Sequence, residues 1–275
     1  MPELAEVEYY RRQWDAGVGE RILRVALHGA KRVFRGSDPA QIEATLRGAT
    51  LLGSETRGKQ IAFRFSESAW LGVHLGMTGK LTRGAPEFTP GKHDHLVLFQ
   101  KRQALVFADA RMFGRVRFHC GKDEPLWWSS LPVEVTSRDF TAARLREVLV
   151  RRSRTPLKAL LLMQEFFPGV GNWMADEILW QAGLHPRLAA GKLSVTAERK
   201  LWRISRAVCR TALKTIGVDW SDPPRGWLIH QRWTRSGRCP RHDQPLERDT
   251  IGGRTTAWCR HCQPLPRSSR NRSPS

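Results

Sequence analysis

The sequence predicts an α+β protein with several domains, and three features of the chain support this class. Between residues 20 and 120, short apolar runs that partly alternate with polar residues are separated by glycines, a pattern typical of a β-sandwich or barrel. From about residue 139, apolar residues recur at helical spacing. Near the C-terminus, two pairs of metal-binding residues flank a predicted β-hairpin. The predicted parts are an N-terminal domain at 1–130, a helical domain at 139–230, a metal-binding finger at 231–264 and a disordered basic tail at 265–275.

A helix is predicted to lead the chain, and its start is also a candidate catalytic site. Leu4, Val7 and Trp14 recur at helical spacing, and Pro2 followed by an acid is an ordinary helix start. After removal of the initiator methionine, however, Pro2 would carry a terminal secondary amine, which can attack a carbonyl-like carbon and form an iminium. Glu3 beside it could transfer the proton that this attack needs. From this stretch alone, both interpretations stay open.

The charge of the chain indicates a polyanionic partner. The 275 residues include 46 Lys+Arg and 26 Asp+Glu, which gives a formal net charge of +20. Such an excess is typical of proteins that bind nucleic acid or an anionic membrane surface. No apolar run approaches the ~18 residues of a spanning helix, and there is no apolar core of a signal peptide. We therefore expect an intracellular protein that does not insert into membranes.

Two loops of the strand-rich half offer candidate contacts for such a partner. Lys59 follows a glycine at a turn that enters a strand, where its ammonium group could meet a phosphate or serve only as surface charge. Met77 lies in a glycine-rich turn that could aim its side chain outward. A hairpin with a core methionine is the simpler interpretation of that turn.

Two further groups follow in the same half. His93 and His95 alternate along a predicted strand and suggest a metal site, but no third ligand lies near them in sequence. Arg111 and Phe113 place a cation and an apolar side chain two residues apart, which suits a probe inserted into a stack of bases. Arginine near phenylalanine is also common by chance, so this pair alone does not decide a function.

The helical half contains a candidate phosphate-binding turn. Thr155 is predicted to start one helix, Asn172 to cap another that Gly183 ends, and a longer helix is predicted at 194–215. Between the first two helices, the turn at 168–172 contains two glycines, which allow a ligand to approach the backbone closely. Backbone N–H groups at a helix start, together with the Asn172 amide, could bind a phosphate. The turn could equally be only a tight connection.

The most specific signal is a set of metal ligands near the C-terminus. Cys239 and His242 form one pair, Cys259 and Cys262 form the other, and a hairpin-sized spacer joins them. This spacing predicts a zinc ribbon with one structural zinc ion. His261 is an alternative ligand, but its spacing from Cys259 is tighter than usual. The clustering of cysteines also indicates reduced thiols rather than a disulfide framework.

Together and in this order, these motifs resemble the formamidopyrimidine-DNA glycosylase/endonuclease VIII family of base-excision repair enzymes. The matching segments are Pro2-Glu3-Leu4 with Glu6, Gly58-Lys59, His74-Leu75-Gly76-Met77, Lys92-His93-Asp94-His95, residues 109–114, Gly171-Asn172 and the zinc hairpin with Arg254. The resemblance extends from Met1 to Gln263. It implies an N-terminal β-sandwich with a leading helix, a helix–two-turn–helix domain and a C-terminal zinc-ribbon β-hairpin. It also implies a monomer that binds double-stranded DNA containing damaged bases or abasic sites.

The resemblance implies a role for each matching residue. Pro2 would be the Schiff-base nucleophile at C1′ of the damaged nucleotide, Glu3 the acid/base that helps to open the sugar, and Glu6 a support for the site. Lys59 would serve β-elimination and Arg254 δ-elimination. The residues implied to fill the gap left by the flipped base are Met77, Arg111 and Phe113. The residues implied to hold the DNA backbone are His93, Asn172 and Lys158.

The implied activity is that of a bifunctional DNA glycosylase and abasic-site lyase that removes oxidised bases by β,δ-elimination. Oxidised purines and formamidopyrimidines are the favoured bases, and oxidised pyrimidines are the alternative. Three residues depart from the family pattern. Ala5 replaces a usual Pro, which implies a packing change, and His242 replaces a usual Cys but is still a good zinc ligand. Met112 stands where a second Arg is common, which leaves the choice of base open. The segment 217–227 is also short and unlike the family's lesion-capping loop.

Two other functions compete with this interpretation. The turn at 168–171 resembles that of helix-hairpin-helix glycosylases, which need a catalytic Lys or Asp soon after the turn. Here no Lys follows before Lys192, and Asp176 lies too close, inside the next helix. A non-catalytic zinc-ribbon protein that binds DNA would need only the charge and the finger, and Pro2 and Glu3 would then be incidental.

Overall fold

The structure, a computed structural model, describes residues 1–265 and has the predicted α+β architecture. The strands are β1 (Arg24–Leu27), β2 (Leu51–Arg57), β3 (Gln60–Phe65), β4 (Ala69–His74), β5 (Lys80–Gly84), β6 (Asp94–Phe99), β7 (Ala104–Ala108), β8 (Arg115–Cys120), β9 (Glu247–Ile251) and β10 (Arg254–Trp258). The helices are α1 (Leu4–Asp15), α2 (Pro39–Leu46), α3 (Leu126–Ser129), α4 (Ala142–Arg151), α5 (Leu157–Leu161), α6 (Asn172–Ala182), α7 (Val195–Lys214) and α8 (Ile216–Asp219). Within residues 1–265, no helix combines the length and the apolar character needed to cross a membrane. The predicted disordered tail lies outside the described residues, apart from Leu265.

Two antiparallel sheets form the predicted β-sandwich. One has the strand order β1-β6-β7-β5 and the other the order β2-β3-β4-β8. Side chains from both sheets share one core, with Leu96, Leu98 and Phe107 from the first sheet and Phe63 and Leu71 from the second. Because a shift of one residue would turn a strand's apolar face outward, this shared core fixes the register of the strands.

Helix α1 forms because its start is capped and one side is buried. Glu3 is the N-cap residue, and the Oε2 atom of Glu6 accepts the Glu3 N–H at 3.1 Å in a reciprocal capping box. Leu4, Val7 and Trp14 are buried, and the last two belong to the sandwich core. The predicted leading helix is therefore confirmed.

The helical region differs in detail from the prediction at two helix starts. Pro156, rather than Thr155, is the N-cap of α5, and Gly171, rather than Asn172, is the N-cap of α6. Asn172 is thus the first residue inside α6, which directs its side chain to another partner. Gly183 ends α6 as predicted, in the left-handed conformation with φ 70°.

The described residues form two compact units, and the first of these is discontinuous in sequence. It contains Met1–Glu134 and Thr211–Asp222, while the second contains Val135–Arg210 and the described residues from Pro223 onward. Segment 211–222 belongs to the first unit because α8 packs on α1. The predicted domain boundaries at residues 130, 139 and 230 therefore stay an interpretation.

The C-terminal finger contains the predicted hairpin. Strands β9 and β10 pair in antiparallel register from Arg254 with Ile251 to Trp258 with Glu247. Gly252 and Gly253 form the turn with φ 61° and 72°, values that only glycine adopts readily. The turn places Arg254 at the start of β10, where it is exposed.

Candidate active site and nucleic-acid interface

The start of α1 and the turn that carries Lys59 lie at the same end of the first unit. The Thr56 hydroxyl donates to Glu8 Oε2 at 3.0 Å, and Arg11 Nη1 donates to Ser54 Oγ at 2.6 Å. Helix α1 and strand β2 therefore lie side by side, and the start of α1 is at the end of β2 that leads into the turn at Lys59. The structure thus brings the predicted nucleophile and the predicted elimination residue to one end of the sandwich.

Two carboxylates cap the helix start that follows Pro2. Pro2 is half-buried, and Glu3 is only 4% exposed. Glu3 and Glu6 cap the helix start reciprocally, which fixes both carboxylates beside the chain terminus. Capping and catalysis are therefore compatible uses of these residues, because the cap holds a proton-transfer group next to Pro2.

His74 is a candidate that the sequence interpretation did not assign a role. It ends β4, and the Gly76 N–H donates to its Nδ1 at 3.1 Å, so a neutral ring carries its proton on Nε2. Burial, followed by the positive charges of Lys59 and two arginines, lowers the pKa of His74 to about 4. At neutral pH the ring is uncharged and can donate one hydrogen bond to an acceptor such as a phosphate oxygen. A histidine that ends a strand directly before a glycine-rich turn was the available signal.

Two loops carry the predicted gap-filling residues, and Asp109 joins them. Its Oδ1 accepts the Thr78 hydroxyl at 2.6 Å, and its Oδ2 accepts the Gly114 N–H at 2.7 Å. Met77 is 38% exposed and Phe113 is 43% exposed. The interpretation of Met77 as a core methionine is therefore wrong, and the two apolar side chains project from adjoining loops.

Arg111 and His93 are also exposed near these loops. The guanidinium of Arg111 lies 4.9 Å from the ring centroid of Phe113. His93 is exposed, whereas His95 is buried with its Nε2 atom 2.8 Å from the Asp109 carbonyl oxygen. The suggested histidine metal pair is not formed, because among residues 1–265 only side chains of the finger form a group of potential ligands.

In the second unit, Asn172 and Arg254 lie close together. Asn172 Nδ2 donates to the Thr255 carbonyl oxygen at 3.0 Å, directly after Arg254. A Cβ atom added to Gly252 would lie 2.9 Å from the Cβ atom of Ala159, so the hairpin turn packs tightly on α5. Asn172 thus helps to position the hairpin, while Arg254 remains exposed.

The burial of Lys158 argues against its predicted contact with the DNA backbone. Its side chain is 0% exposed, and its Nζ atom donates to Asp176 Oδ1 at 2.6 Å and to the Asn172 carbonyl oxygen at 2.7 Å. Arg232 also pairs with Asp176, at 2.7 Å between Nη2 and Oδ2. A phosphate contact through Lys158 would require breaking a buried ion pair, so its role is to hold α5 on α6.

Part of the backbone in the turn at 168–171 is hydrogen-bonded to other groups of the protein. The Gly169 N–H donates to Gln164 Oε1 at 3.1 Å, and Gln164 Nε2 donates to the Val170 carbonyl oxygen at 2.7 Å. The Val170 N–H donates to the Phe167 carbonyl oxygen at 3.2 Å. The predicted phosphate grip is therefore wrong for the first part of this turn, which Gln164 fixes as a tight connection.

Glu177 is a buried acid that binds backbone. Its Oε2 accepts the Ile229 N–H at 3.1 Å, and its Oε1 accepts the Gln181 amide at 2.8 Å. Burial outweighs these hydrogen bonds and raises the pKa of Glu177 to about 7. Its contact with the Ile229 N–H fixes the segment after residue 228.

The four predicted metal ligands come together in the finger. The donor atoms of Cys239, His242, Cys259 and Cys262 all lie within 4.8 Å of one another. Cys239 Sγ and Cys262 Sγ are 3.6 Å apart, close to the ~3.8 Å that tetrahedral geometry with 2.3 Å metal–sulfur bonds requires. Three sulfurs and one imidazole nitrogen fit a closed tetrahedral metal site. His261 packs against the His242 ring, at 4.2 Å between centroids, and is outside this group.

Comparison with known proteins identifies the family of the chain. Residues 1–116 match the formamidopyrimidine-DNA glycosylase N-terminal domain, and residues 131–221 match the formamidopyrimidine-DNA glycosylase H2TH domain. The formamidopyrimidine-DNA glycosylase of Solibacter usitatus (strain Ellin6076) is 35% identical over 274 residues, covering 96% of this chain and 99% of the relative. The chain belongs to the formamidopyrimidine-DNA glycosylase family.

Solved structures of this glycosylase family share the fold. The Lactococcus lactis formamidopyrimidine-DNA glycosylase, bound noncovalently to DNA containing an AP site, is 28% identical with a TM-score of 0.84. The same relative in complex with DNA containing N7-benzyl-Fapy-dG is 28% identical with a TM-score of 0.82. In both cases the similarity covers 96% of this chain and 100% of the relative.

Membership in the formamidopyrimidine-DNA glycosylase family settles two of the competing interpretations. The resemblance to this family is confirmed, and the coarser function, a DNA glycosylase of base-excision repair, follows from it. The helix-hairpin-helix alternative is wrong, because the turn at 168–171 lies inside the region that matches the H2TH domain.

Proposed function

We propose that this chain is a bifunctional DNA glycosylase and abasic-site lyase that acts as an intracellular monomer on damaged double-stranded DNA. It removes oxidised bases through a Schiff base at Pro2 and nicks the strand by β,δ-elimination. Oxidised purines and formamidopyrimidines are its favoured bases.

The observation that carries this proposal is the arrangement at the start of α1. Pro2 is half-buried beside the buried Glu3, and Lys59 lies at the same end of the unit. Once the initiator methionine is removed, the Pro2 nitrogen attacks C1′ and displaces the base, and the proton lost from this nitrogen balances the one that the departing base takes up. The iminium forms in the next step, when the bond between C1′ and the ring oxygen breaks. Glu3 donates a proton to the sugar ring oxygen as the ring opens. Burial of Glu3 and its fixed cap keep this proton donor in place during the reaction.

The strand is then cut by two eliminations. Lys59, on the turn between β2 and β3, handles the proton transfer of the first elimination and contacts a phosphate. Arg254 is exposed at the hairpin, where Asn172 and the close packing of Gly252 on α5 fix its position. It binds the phosphate that leaves in the second elimination.

The exposed loops serve the extrusion of the damaged nucleotide. Taking a base out of the stack costs a few kcal/mol, which contacts to the remaining duplex must offset. Met77 and Phe113 fill the gap, and Arg111, which lies against Phe113, inserts beside them. His93 and the neutral His74 donate hydrogen bonds to the DNA backbone.

The metal of the finger is one structural zinc ion. Three cysteines and His242 would close its coordination, so no position is left for chemistry. The hairpin is too small to bury a core of its own, and the metal would supply most of its folding free energy. Zinc therefore serves to keep the hairpin, and with it Arg254, rigid.

Two alternatives differ in what they predict. An endonuclease VIII-like enzyme would prefer oxidised pyrimidines. The Lactococcus lactis relative has been seen both with DNA containing N7-benzyl-Fapy-dG and with DNA containing an oxidised pyrimidine, so the purine preference proposed here rests on the family resemblance alone. A non-catalytic zinc-ribbon protein would bind DNA without forming a covalent adduct.

Borohydride trapping on DNA with an abasic site tests the proposal. The mature protein with a free Pro2 should be reduced onto the DNA, because borohydride converts the iminium into a stable amine. A variant with an N-terminal extension, which makes the Pro2 nitrogen an amide, should bind the same DNA without trapping. Normal trapping by the extended protein would show that Pro2 is not the nucleophile, and no trapping by either would favour the non-catalytic alternative.

Two histidine variants test the zinc assignment. His242→Ala should lose zinc and DNA binding together, because the fourth ligand is removed. His261→Ala is the matched control and should keep both. Zinc content measured by atomic absorption checks this, and a full equivalent in His242→Ala would contradict the proposed ligand set.

A further inference from the structure

The outer face of the sheet β2-β3-β4-β8 ends in a group of cations. Arg115 and Arg117 alternate along β8 and therefore share one face. Their cross-strand partners on β4 are His74 for Arg115 and Gly72 for Arg117. Both arginines are partly exposed.

Arg35 adds a third guanidinium to this group, which we call the arginine trio (Arg35, Arg115 and Arg117). It follows the 3-10 turn Arg32–Phe34, which packs against β8. Its Nη1 atom donates to the Gly114 carbonyl oxygen at 2.8 Å, directly before Arg115. The side chain of Arg35 is thereby held at the start of β8 while the residue remains exposed.

Among the described residues, no acid pairs with the arginine trio. Within residues 1–265, the ion pairs of the structure include none of its three guanidinium groups. On the same sheet, by contrast, Arg57 pairs with Glu124 at 3.4 Å. The Nε atom of Arg115 is buried and has no hydrogen-bond partner.

The charges of the arginine trio act on one another. Burial, followed by the charge of Arg115, lowers the pKa of Arg35. Burial, followed by the charges of Arg115 and Arg35, lowers the pKa of Arg117. Like charges held together cost free energy that a bound anion would offset. A planar guanidinium matches the oxygens of a phosphate in two parallel hydrogen bonds, so phosphate is the anion that this geometry fits.

We propose that Arg35, Arg115 and Arg117 form a binding site for a backbone phosphate of the DNA substrate, beside the one contacted by Lys59 and His74. This inference rests on the proposed DNA substrate and adds a contact that the family resemblance did not imply. Its position follows from the register of β4 and β8, which makes Arg115 the direct neighbour of His74. The site fixes the strand on the side of the first unit.

Salt dependence of binding tests the site, because each phosphate neutralised by a protein releases condensed cations. The logarithm of the association constant falls with the logarithm of salt concentration by about 0.9 per contact on duplex DNA. A duplex carrying a tetrahydrofuran site, which cannot be eliminated, serves as the ligand in fluorescence anisotropy. The double variant Arg35→Gln/Arg117→Gln should lower the slope by about 0.9 and weaken binding about eightfold at ~0.1 M salt.

Two control variants separate the site from general charge. Arg102→Gln removes one positive charge from an arginine that is 84% exposed at its side chain, and should leave the slope unchanged. Arg35→Lys/Arg117→Lys keeps both charges and should retain most of the slope. An unchanged slope in the glutamine double variant, or an equal loss in Arg102→Gln, would overturn the proposal.

Two further measurements distinguish a DNA phosphate from a free anion and separate this site from the catalytic step. At equal ionic strength, inorganic phosphate should weaken DNA binding by the parent protein no more than chloride does. A different result would assign the arginine trio to a free anion. In that case phosphate would weaken DNA binding more than chloride in the parent protein but not in the double variant, and the salt slopes of the two proteins would be equal. Borohydride trapping of the parent protein on abasic DNA tests the proposed activity separately. Loss of trapping in the parent would refute the proposed activity, while the slope would still decide this site.

Discussion

Two groups of basic side chains in this glycosylase differ in their burial and in whether they pair with an acid. In the second unit, Lys158 and Arg232 are 0% and 3% exposed at their side chains, and both pair with Asp176. In the first unit, the arginine trio lies at the surface without a carboxylate partner among the described residues.

The difference shows that pairing, rather than residue type, decides what a basic side chain does. Lys158 is held by a buried acid and connects α5 to α6, while the Ala257 N–H donates to Asp176 Oδ2 at 3.2 Å and adds β10. Such a network is structural and leaves no cation for DNA. The arginine trio holds like charges together, which we expect to cost stability in the free protein until an anion binds. We expect mutations to separate the two groups accordingly.

The largest effect is expected from Asp176→Ala. The change leaves two buried cations without a counterion, and breaking a buried pair in this way typically costs ~3–5 kcal/mol. Urea denaturation should show a lower midpoint by a corresponding amount. Asp249→Ala is the control, because its pair with Arg187 is exposed and such pairs contribute ~0–1 kcal/mol. Equal losses in the two variants would contradict the contrast between buried and exposed pairs.

A pH-dependent effect is expected from Glu177→Gln, at the residue next to Asp176. Burial raises the pKa of Glu177 from 4.5 to about 7, so the folded protein holds this proton more tightly than the unfolded chain. Stability should therefore fall as pH rises from about 4.5 to about 7, by up to about 3 kcal/mol, and stay level above that. Glu177→Gln should remove this decline.

Denaturation of both proteins across this pH range measures the difference. The variant keeps an oxygen to accept the Ile229 N–H, so the fold around it should persist. Parallel pH profiles for the two proteins would show that Glu177 does not titrate in this range.

The smallest effect is expected from Arg115→Gln. Removing one of three like charges should leave the free protein as stable as before or up to ~0.5 kcal/mol more stable at low salt. High salt should abolish the gain, because screening weakens repulsion between exposed charges. Thermal denaturation at the two salt concentrations measures it. A clear loss of stability would mean that Arg115 serves the fold in the way that Lys158 does.

The sequence by itself determined the features that depend on near neighbours in the chain. Alternation and glycine turns predicted the sandwich, and the acid after Pro2 predicted the start of α1. The spacing of Cys239, His242, Cys259 and Cys262 predicted a ligand group that the structure brings together. These signals are local, because helix caps, strand alternation and short ligand spacings involve residues a few positions apart.

Only the tertiary structure decided which charges are paired. Lys158 lies 18 positions from Asp176 in the sequence, and Arg232 lies 56 positions from it. The sequence therefore did not show that Lys158 forms an ion pair with this acid. The arginine trio likewise depends on Arg35 meeting a loop 79 positions away, and the lowered pKa of His74 depends on the charges gathered around it. The free energy of a charge depends on its burial and on the charges within a few ångströms, and both are set when distant parts of the chain pack together.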